Sequence, residues 1–294
     1  MKILNFGSLN LDYTYSVDHI VKEGETISSL GVQTNLGGKG FNQSVALARA
    51  GKEVFHAGLV GEGGQLFFEA CNKYGINTKY MNTVLGRSGH TIIQVDKNGQ
   101  NSIVLYGGAN QKITKDYVNK VLNDFSKGDI IILQNEINEL PYIIDEAFKR
   151  EMTIVLNPSP MDEKINACNL KKVSIFILNE TEGQQLTLAT DANGILDAMQ
   201  RRFPASRIML TLGKDGCIFR SGRKTVSQKA FSVDAVDTTA AGDTFTGFFI
   251  AGLVDELPIK DVLCTATKAS ALAVQKEGAA QSIPTMEEVE RFRP

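Results

Sequence analysis

Two glycine-rich stretches contain the residue types from which a phosphate site could be built. The first runs Asn35-Leu36-Gly37-Gly38-Lys39-Gly40-Phe41-Asn42-Gln43-Ser44 and leads into a helical pattern. The second, Asp237-Thr238-Thr239-Ala240-Ala241-Gly242-Asp243-Thr244, opens the apolar run FTGFFIAGLV. Small residues at a helix start leave backbone N–H groups at the positive end of the helix dipole, where an anion can sit. Neither stretch is a P-loop, since GxxxxGK followed by Ser or Thr occurs nowhere, and GEGGQL at 61–66 lacks the last glycine of a dinucleotide fingerprint. In the second stretch Ala240, Ala241 and Gly242 keep bulk away from the amides, and Asp243 follows within the first turn. That carboxylate could simply cap the helix. Beside an anion cradle it could instead accept a hydroxyl proton while the amides hold the charge of a moving phosphoryl group. The second stretch therefore points to phosphoryl transfer to an alcohol.

The elements that must position these residues follow from hydrophobic period. Ile3 to Phe6, Glu53 to Val60, Asp129 to Leu133, Thr153 to Leu156, Ile175 to Leu178 and Arg207 to Thr211 read as strands, several nearly continuous in Ile, Val and Leu. Such runs suit parallel strands covered on both faces. Helical stretches lie between them: Asn42 to Ala50, Leu66 to Tyr74, Ile137 to Arg150, Ala192 to Arg202, Ala241 to Val254 and Lys260 to Gln275. The alternation predicts an α/β fold, a doubly wound, mostly parallel sheet flanked by helices. Residues 12–36 and 88–107 break the rhythm with alternating polar and apolar residues and a turn at Lys97-Asn98-Gly99, so they read as strands of a small β-sheet with one wet face. The expected organisation is a single domain over 1–294 with this small sheet as a lid. Asn10 and Asp12, just after the first strand, read either as an Asx turn or as a polar pair lining a cleft at the strand's carboxyl end.

Composition narrows the function classes. The 294 residues carry 31 basic and 33 acidic side chains, a net charge of -2, which argues against a nucleic-acid or anionic-membrane binder. A 43% hydrophobic content supports a large core, and no apolar run approaches the roughly 18 residues of a membrane span. The N-terminus reads as a buried strand and not a secretory signal, so a cytoplasmic location is expected. Cys71, Cys168, Cys217 and Cys264 lie far apart, as do His19, His56 and His90. Reduced thiols are therefore expected, and any metal should arrive with a ligand. Asn42-Gln43-Ser44 and Asn179-Glu180-Thr181 match the glycosylation sequon without a secretory context.

In order and spacing, a longer set of motifs resembles the ribokinase-like, PfkB-type carbohydrate kinases. They are Gly7-Ser8-Leu9-Asn10-Leu11-Asp12, Gly24-Glu25-Thr26, Gly37 to Gln43, Gly107-Gly108-Ala109-Asn110, Asn157-Pro158-Ser159-Pro160, Asn179-Glu180-Thr181-Glu182, Thr211-Leu212-Gly213, Asp237 to Asp243 and Gly278 to Pro284. The resemblance covers nearly the whole chain. It implies transfer of the γ-phosphoryl of ATP to a sugar's primary hydroxyl, with ribose as the leading acceptor. It also implies Asp243 as catalytic base and the Ala240, Ala241 and Gly242 backbone as the anion hole. Asn10, Asp12, Gly38, Lys39, Asn42 and Glu136 match sugar-binding positions, as does Asp243 itself. Asn179 and Glu182 match a motif associated with Mg²⁺ and phosphate, Glu182 acting indirectly, and Thr211, Gly213 and Gly216 match the nucleotide loop together with Gly242. A monovalent-cation site, usually for K⁺, is implied at Asp237, Thr239, Ala273, Lys276, Gly278 and Ser282, several through carbonyls. A homodimer through the lid is implied as well.

One departure bears on the acceptor. Ser88-Gly89-His90-Thr91-Ile92 puts His90 and Thr91 in a lid strand where small apolar residues are usual for the family. Because strand side chains alternate, one of the two can face the pocket. An extra donor there would suit another pentose, a hexose or a nucleoside. A non-catalytic sugar sensor is opposed by the intact Asp243, Asn179 and Glu182, and a dehydrogenase by the missing fingerprint.

Overall fold

The computed structural model describes residues 1–293. From the N-terminus the chain forms β1 (Ile3–Phe6), β2 (Asn10–Ser16), β3 (Gly31–Gly37), α1 (Lys39–Arg49), β4 (Val54–Glu62), α2 (Gln65–Tyr74) and β5 (Asn77–Arg87). It continues through β6 (Gly89–Val95), β7 (Asn101–Tyr106), α3 (Lys115–Leu122), β8 (Ile130–Gln134), α4 (Leu140–Lys149), β9 (Thr153–Asn157) and β10 (Ile175–Asn179). The last part comprises α5 (Glu180–Thr187), α6 (Ala192–Arg202), β11 (Arg207–Thr211), β12 (Cys217–Ser221), β13 (Lys224–Gln228), α7 (Ala241–Val254), α8 (Ile259–Ala273) and α9 (Met286–Arg291).

The main sheet has nine strands in the order β13-β12-β11-β10-β9-β8-β1-β4-β5, parallel except where β12 and β13 join antiparallel. Its inner strands are apolar on both faces because both are covered. Leu4, Phe6, Ile131, Leu133, Phe176 and Leu178 pack with residues of α3 to α6, while Ile3, Ile130, Ile132, Ile175 and Ile177 pack with those of α1, α2, α7, α8 and α9. The strand order reverses at β1, which pairs with β4 on one side and β8 on the other. A crevice opens beyond the carboxyl ends of the strands at such a switch point. Ser8, Glu136, Asn157, Asn179 and Thr211 all lie at those ends.

The second sheet, in the order β3-β2-β6-β7, springs from the carboxyl end of β1. Its central pair, β2 and β6, is parallel and sets Asp12 opposite Thr91. The α/β class and the small second sheet match the expectation from sequence. Asn10 and Asp12 belong to β2, so the Asx-turn alternative does not hold.

Hydrophobic period in the sequence leaves β5, β12, β13, α3, α5 and α9 unmarked, and among the elements it does mark the main difference is where α4 begins. Glu139 takes a left-handed conformation (φ 59°) as N-cap, with Pro141 in the first turn, so the helix starts at Leu140 and not Ile137. The short helix α5, whose ETEGQQLT lacks an apolar stripe, is held by its cap. Cys71, Cys168, Cys217 and Cys264 are free thiols. No helix among the described residues is long and apolar enough to cross a membrane.

Candidate active site

Helix α7 begins at the cleft and carries Asp243 in its first turn. Ala240 is the N-cap in a left-handed conformation (φ 59°), which turns the preceding loop sharply into the helix. Asp243 is not a capping side chain. Its Oδ2 accepts from Asn42 Nδ2 at 3.0 Å and its Oδ1 from Gln43 Nε2 at 2.9 Å. Two consecutive residues of α1 thus hold both carboxylate oxygens of a residue on α7. Close helix contact makes this possible: a Cβ added at Gly247 would lie 2.3 Å from Ala46 Cβ and 2.9 Å from Leu47 N. At the other end of α1 a Cβ on Gly40 would meet Ser8 N at 2.4 Å, so α1 also sits hard against the end of β1.

The sequence puts an anion cradle at the Ala240, Ala241 and Gly242 backbone; in the structure the first-turn N–H groups without a helical acceptor are those of Gly242 and Asp243. The Ala241 N–H donates to Thr238 O at 3.2 Å. A cavity of about 240 Å³ runs from this turn to Lys39, Asn179, Glu182 and Thr211.

Electrostatics distinguish the carboxylates. Burial pushes the Asp243 carboxyl up, and the Lys39 ammonium with the Gln43 and Asn42 amides pulls it back. Glu136 is also pushed up by burial, against Lys39, the Ser8 hydroxyl and the Lys39 amide. For Lys39 itself burial acts downward, yet the carboxylates of Asp243, Glu136 and Glu182 together hold the ammonium above its ordinary value. One cation therefore stands among three acids, and its ammonium is held charged by them.

Glu136 Oε2 accepts from the Ser8 hydroxyl and from Lys39 N (2.9 Å), tying the ends of β1 and β8 to the start of α1. Asn10 Oδ1 accepts from Asn110 Nδ2 at 2.7 Å, and Asn110 Oδ1 accepts from Leu9 N at 3.1 Å. Asp12, in the second sheet, accepts from Thr91 Oγ1 at 2.5 Å. Burial raises the Asp12 carboxyl to about 6, opposed by that hydroxyl and reinforced by the charge of Glu136. His90 points to the other face of the sheet, its ring between Tyr13 (5.9 Å) and Tyr106 (5.0 Å). Of the two departures in the lid strand, Thr91 is the one beside the pocket residues.

Asn179 and Glu182 form a reciprocal cap on α5. Glu182 N donates to Asn179 Oδ1 at 2.9 Å, while Asn179 N and Nδ2 donate to the two oxygens of Glu182 at 3.0 and 3.1 Å. With both oxygens so engaged at the cavity wall, Glu182 suits a metal reached through water. Among the described residues no three His, Cys, Asp or Glu side chains converge as a metal cage. Thr211 ends β11, and Gly213 and Gly216 bound the turn to β12, both at positive φ.

The loops before α7 and after α8 are tied together by Asp237, whose oxygens accept from Thr239 N (2.8 Å) and Gly278 N (2.9 Å). Ala273 ends α8, its carbonyl accepting from Lys276 N at 3.1 Å, and Ser282 Oγ donates to Ala279 O at 2.8 Å. The Lys276 ammonium instead pairs with Glu288 at 2.9 Å on α9, so that residue can offer this loop only its carbonyl.

Over residues 1–286 the chain matches the family described as pfkB family carbohydrate kinase. The chain belongs to that family. A Haemophilus influenzae ribokinase is 34% identical over 295 residues, covering 97% of this chain and 96% of its own. A solved structure of Arabidopsis thaliana ribokinase complexed with ribose and ATP superposes with TM-score 0.88 at 30% identity, covering 99% of both chains. A Cryptococcus neoformans ribokinase in complex with ADP gives 0.85 at 32% identity, covering 98% of both. As a pfkB-family carbohydrate kinase, the chain is an ATP phosphotransferase with an alcohol acceptor, and the switch-point crevice between the two sheets is its candidate active site. Three residues of that crevice escaped prediction: Ser8, Gln43 and Asn110. Each stands inside a motif read from the sequence, but its role depends on a partner about 100 residues or more away.

Proposed function

We propose that this carbohydrate kinase is a ribokinase, transferring the γ-phosphoryl of ATP to the primary hydroxyl of D-ribose. The observation that carries the reading is the Asp243 carboxylate, buried, held by two amides and adjacent to the first-turn N–H groups of α7. In this reading the sugar lies between the main sheet, taken as the catalytic domain, and the lid. Asn10, Asp12, Gly38, Lys39, Asn42 and Glu136 surround its hydroxyls. Asp243 accepts the O5 proton as O5 bonds to the γ-phosphorus and the bond from that phosphorus to the bridging oxygen breaks to release ADP, and the Gly242 and Asp243 amides hold the developing charge. Asn42 Oδ1, buried with no protein partner, is a ready acceptor for a sugar hydroxyl. Thr211, Gly213, Gly216 and Asn179 line the nucleotide side.

Mg²⁺ would neutralise phosphate charge, reached by Glu182 through water. Asp237 and the carbonyls of Thr239, Ala273, Lys276, Gly278 and Ser282 would hold K⁺ behind the anion hole. The Asp237 bridge between both loops supports that site, because a cation there would fix the loop feeding Ala240. The setting is cytoplasmic.

A homodimer through the lid accompanies this reading. Leu30, Val32, Ile92, Ile103, Val104, Leu105 and Tyr106 are exposed there, and the edge strand β7 is exposed along its whole length. Unpaired edge strands of this kind are usually covered. A Val104→Lys variant should sediment as a monomer if a second copy covers them.

ATP consumption over a panel of ribose, other pentoses, hexoses and nucleosides, with and without K⁺, tests the assignment. Turnover on ribose, raised by K⁺, is expected. A different preferred acceptor would replace ribose while leaving the chemistry, and the Thr91 hydroxyl on Asp12 makes another pentose the second reading.

A further inference from the structure

Two apolar strands of the main sheet each carry one polar side chain that their pattern does not call for: Asn5 in ILNF and His56 in VFHAGLVGE. Both are fully buried, as are Ser44 and Gln43 on α1 and Gln134 at the end of β8. These five side chains form one hydrogen-bonded series that ends on Asp243. Asn5 Nδ2 donates to Gly40 O at 2.7 Å and to Ser44 Oγ at 2.9 Å, and Ser44 Oγ lies 2.8 Å from His56 Nδ1. Gln134 Nε2 donates to Asn5 Oδ1 at 3.0 Å and to Gln43 Oε1 at 2.7 Å. Gln43 Nε2 donates to Asp243 Oδ1 at 2.9 Å.

The series has a direction, because it starts from a group that can only accept. The carbonyl of Gly40, fixed in α1, requires the amide nitrogen of Asn5. That turns Asn5 Oδ1 outward as an acceptor and requires the amide nitrogen of Gln134. The second hydrogen of the same nitrogen goes to Gln43 Oε1, so the carbonyl of Gln43 faces inward and its two N–H groups go to Asp243 Oδ1 (2.9 Å) and Asn157 Oδ1 (3.3 Å), the latter turned toward it because Asn157 Nδ2 donates to Ile177 O. A reversed Gln43 would set an oxygen against Asp243 Oδ1, and two acceptors at that distance tolerate each other only when the carboxyl is protonated. His56, which burial holds down near a pKa of about 4, stays neutral and stands at the far end with Nδ1 2.8 Å from Ser44 Oγ.

We propose that Gln43 is a positioning residue for Asp243, and that the series Gly40, Asn5, Gln134 sets the direction of its amide so that the base stays ionised and its free lone pairs face the cavity. The proposal rests on the reading of Asp243 as the general base. The other charged groups near it are Lys39 on α1, Glu136 beyond β8 and Glu182 on α5 across the cavity. All three are retained in the variants that test the series, so differences between variants come from the amides.

The test measures kcat and KM for D-ribose against pH with ATP and Mg²⁺, for wild type, Gln43→Met, Gln134→Met and Asp243→Asn, beside melting temperatures. Losing a hydrogen bond to the charged form raises a carboxyl pKa, so Gln43→Met should move the acid limb of kcat up by about one pH unit and lower kcat on the order of tenfold, with KM for ribose little changed. Gln134→Met, one step further back, should move the same limb in the same direction by less. Variants with lower melting temperatures but wild-type acid limbs and kcat would overturn the proposal. Should Gln43→Met not fold, Gln134→Met is combined with Asn157→Leu, which removes the other partner orienting Gln43, and a wild-type limb in that double variant overturns the proposal. An inactive Asp243→Asn beside an unchanged Gln43→Met leaves the base standing and removes only the positioning role. Wild-type turnover in Asp243→Asn removes both.

Discussion

Asp243 and Asp12 belong to one cleft, but the two sheets hold them differently. Asp243 is 6% exposed, at the junction of two helices that touch through Gly247 and Ala46, with an amide on each oxygen. Asp12 is half-buried on a four-stranded sheet whose edge strand is exposed throughout, and one hydroxyl from the neighbouring strand meets it. Under the proposed reading Asp243 accepts a proton and must be held within a fraction of an ångström of its productive position, which packed helices supply. Asp12 would only receive sugar hydroxyls and tolerates looser support. Damage near Asp243 should therefore appear in turnover, and damage near Asp12 in sugar affinity.

The largest effect tests the first half of that contrast. Asp243→Asn keeps the shape and the bond from at least one amide but removes the proton acceptor. Turnover should fall on the order of 10²–10⁴-fold, the usual worth of a general base, with ribose affinity by calorimetry close to wild type. A loss of affinity as large as the loss of turnover would instead make Asp243 a binding group like Asp12.

Next in size is a substitution that leaves every polar group in place. Gly247→Ala puts a methyl where Ala46 already is, and the contact distances require α7 to move off α1. Overpacking of this kind costs about 1–3 kcal/mol of stability. Because Asn42 and Gln43 reach Asp243 across the same junction, kcat should drop together with the midpoint of chemical denaturation. A destabilised variant with full turnover would mean that the helix contact does not position the base.

How far the sequence discloses each region follows the same division. Six of the main sheet's nine strands are legible because burial on both faces writes continuous runs such as Ile130 to Leu133, whereas β5, β12 and β13 at its two ends carry too many polar residues to show such a run. Asp243 is legible because its glycine-rich approach is local. The lid strands are legible from their alternation. What stays hidden depends on distant partners. Asn5 and His56 look like blemishes in apolar strands until Ser44 is brought between them. Lys276 reads as a loop residue of the cation site, yet its ammonium is drawn to Glu288 one element further on. The cap at Asn179 and Glu182 can be read from spacing alone, since an N-cap with Glu three residues later is a helix start. That the same pair borders the Asp243 cavity cannot, because the approach of β10 to α7 is a property of strand order.

The smallest effect concerns the lid. Burial holds the Asp12 carboxyl near 6 in the free protein, the Thr91 hydroxyl working against that rise and the Glu136 charge adding to it. A sugar hydroxyl donates to the ionised form, so binding competes with the proton. Ribose affinity should be flat above about pH 7 and weaken as pH falls through 6, approaching tenfold per pH unit once the carboxyl is mostly protonated. Thr91→Val keeps the shape and removes one hydrogen bond to the charged form, so the midpoint should move upward. The variant should then bind ribose a few-fold more weakly at pH 6 and almost as well at pH 8, with kcat at pH 8 unchanged. Asp12→Asn, unable to ionise, should flatten that part of the profile and leave the contributions of Glu136 and Asp243, whose carboxyls burial also raises. Wild-type affinity that stays constant down to pH 5.5 would show that Asp12 is not the group receiving the sugar, and would remove the contrast between the two acids at its weaker end.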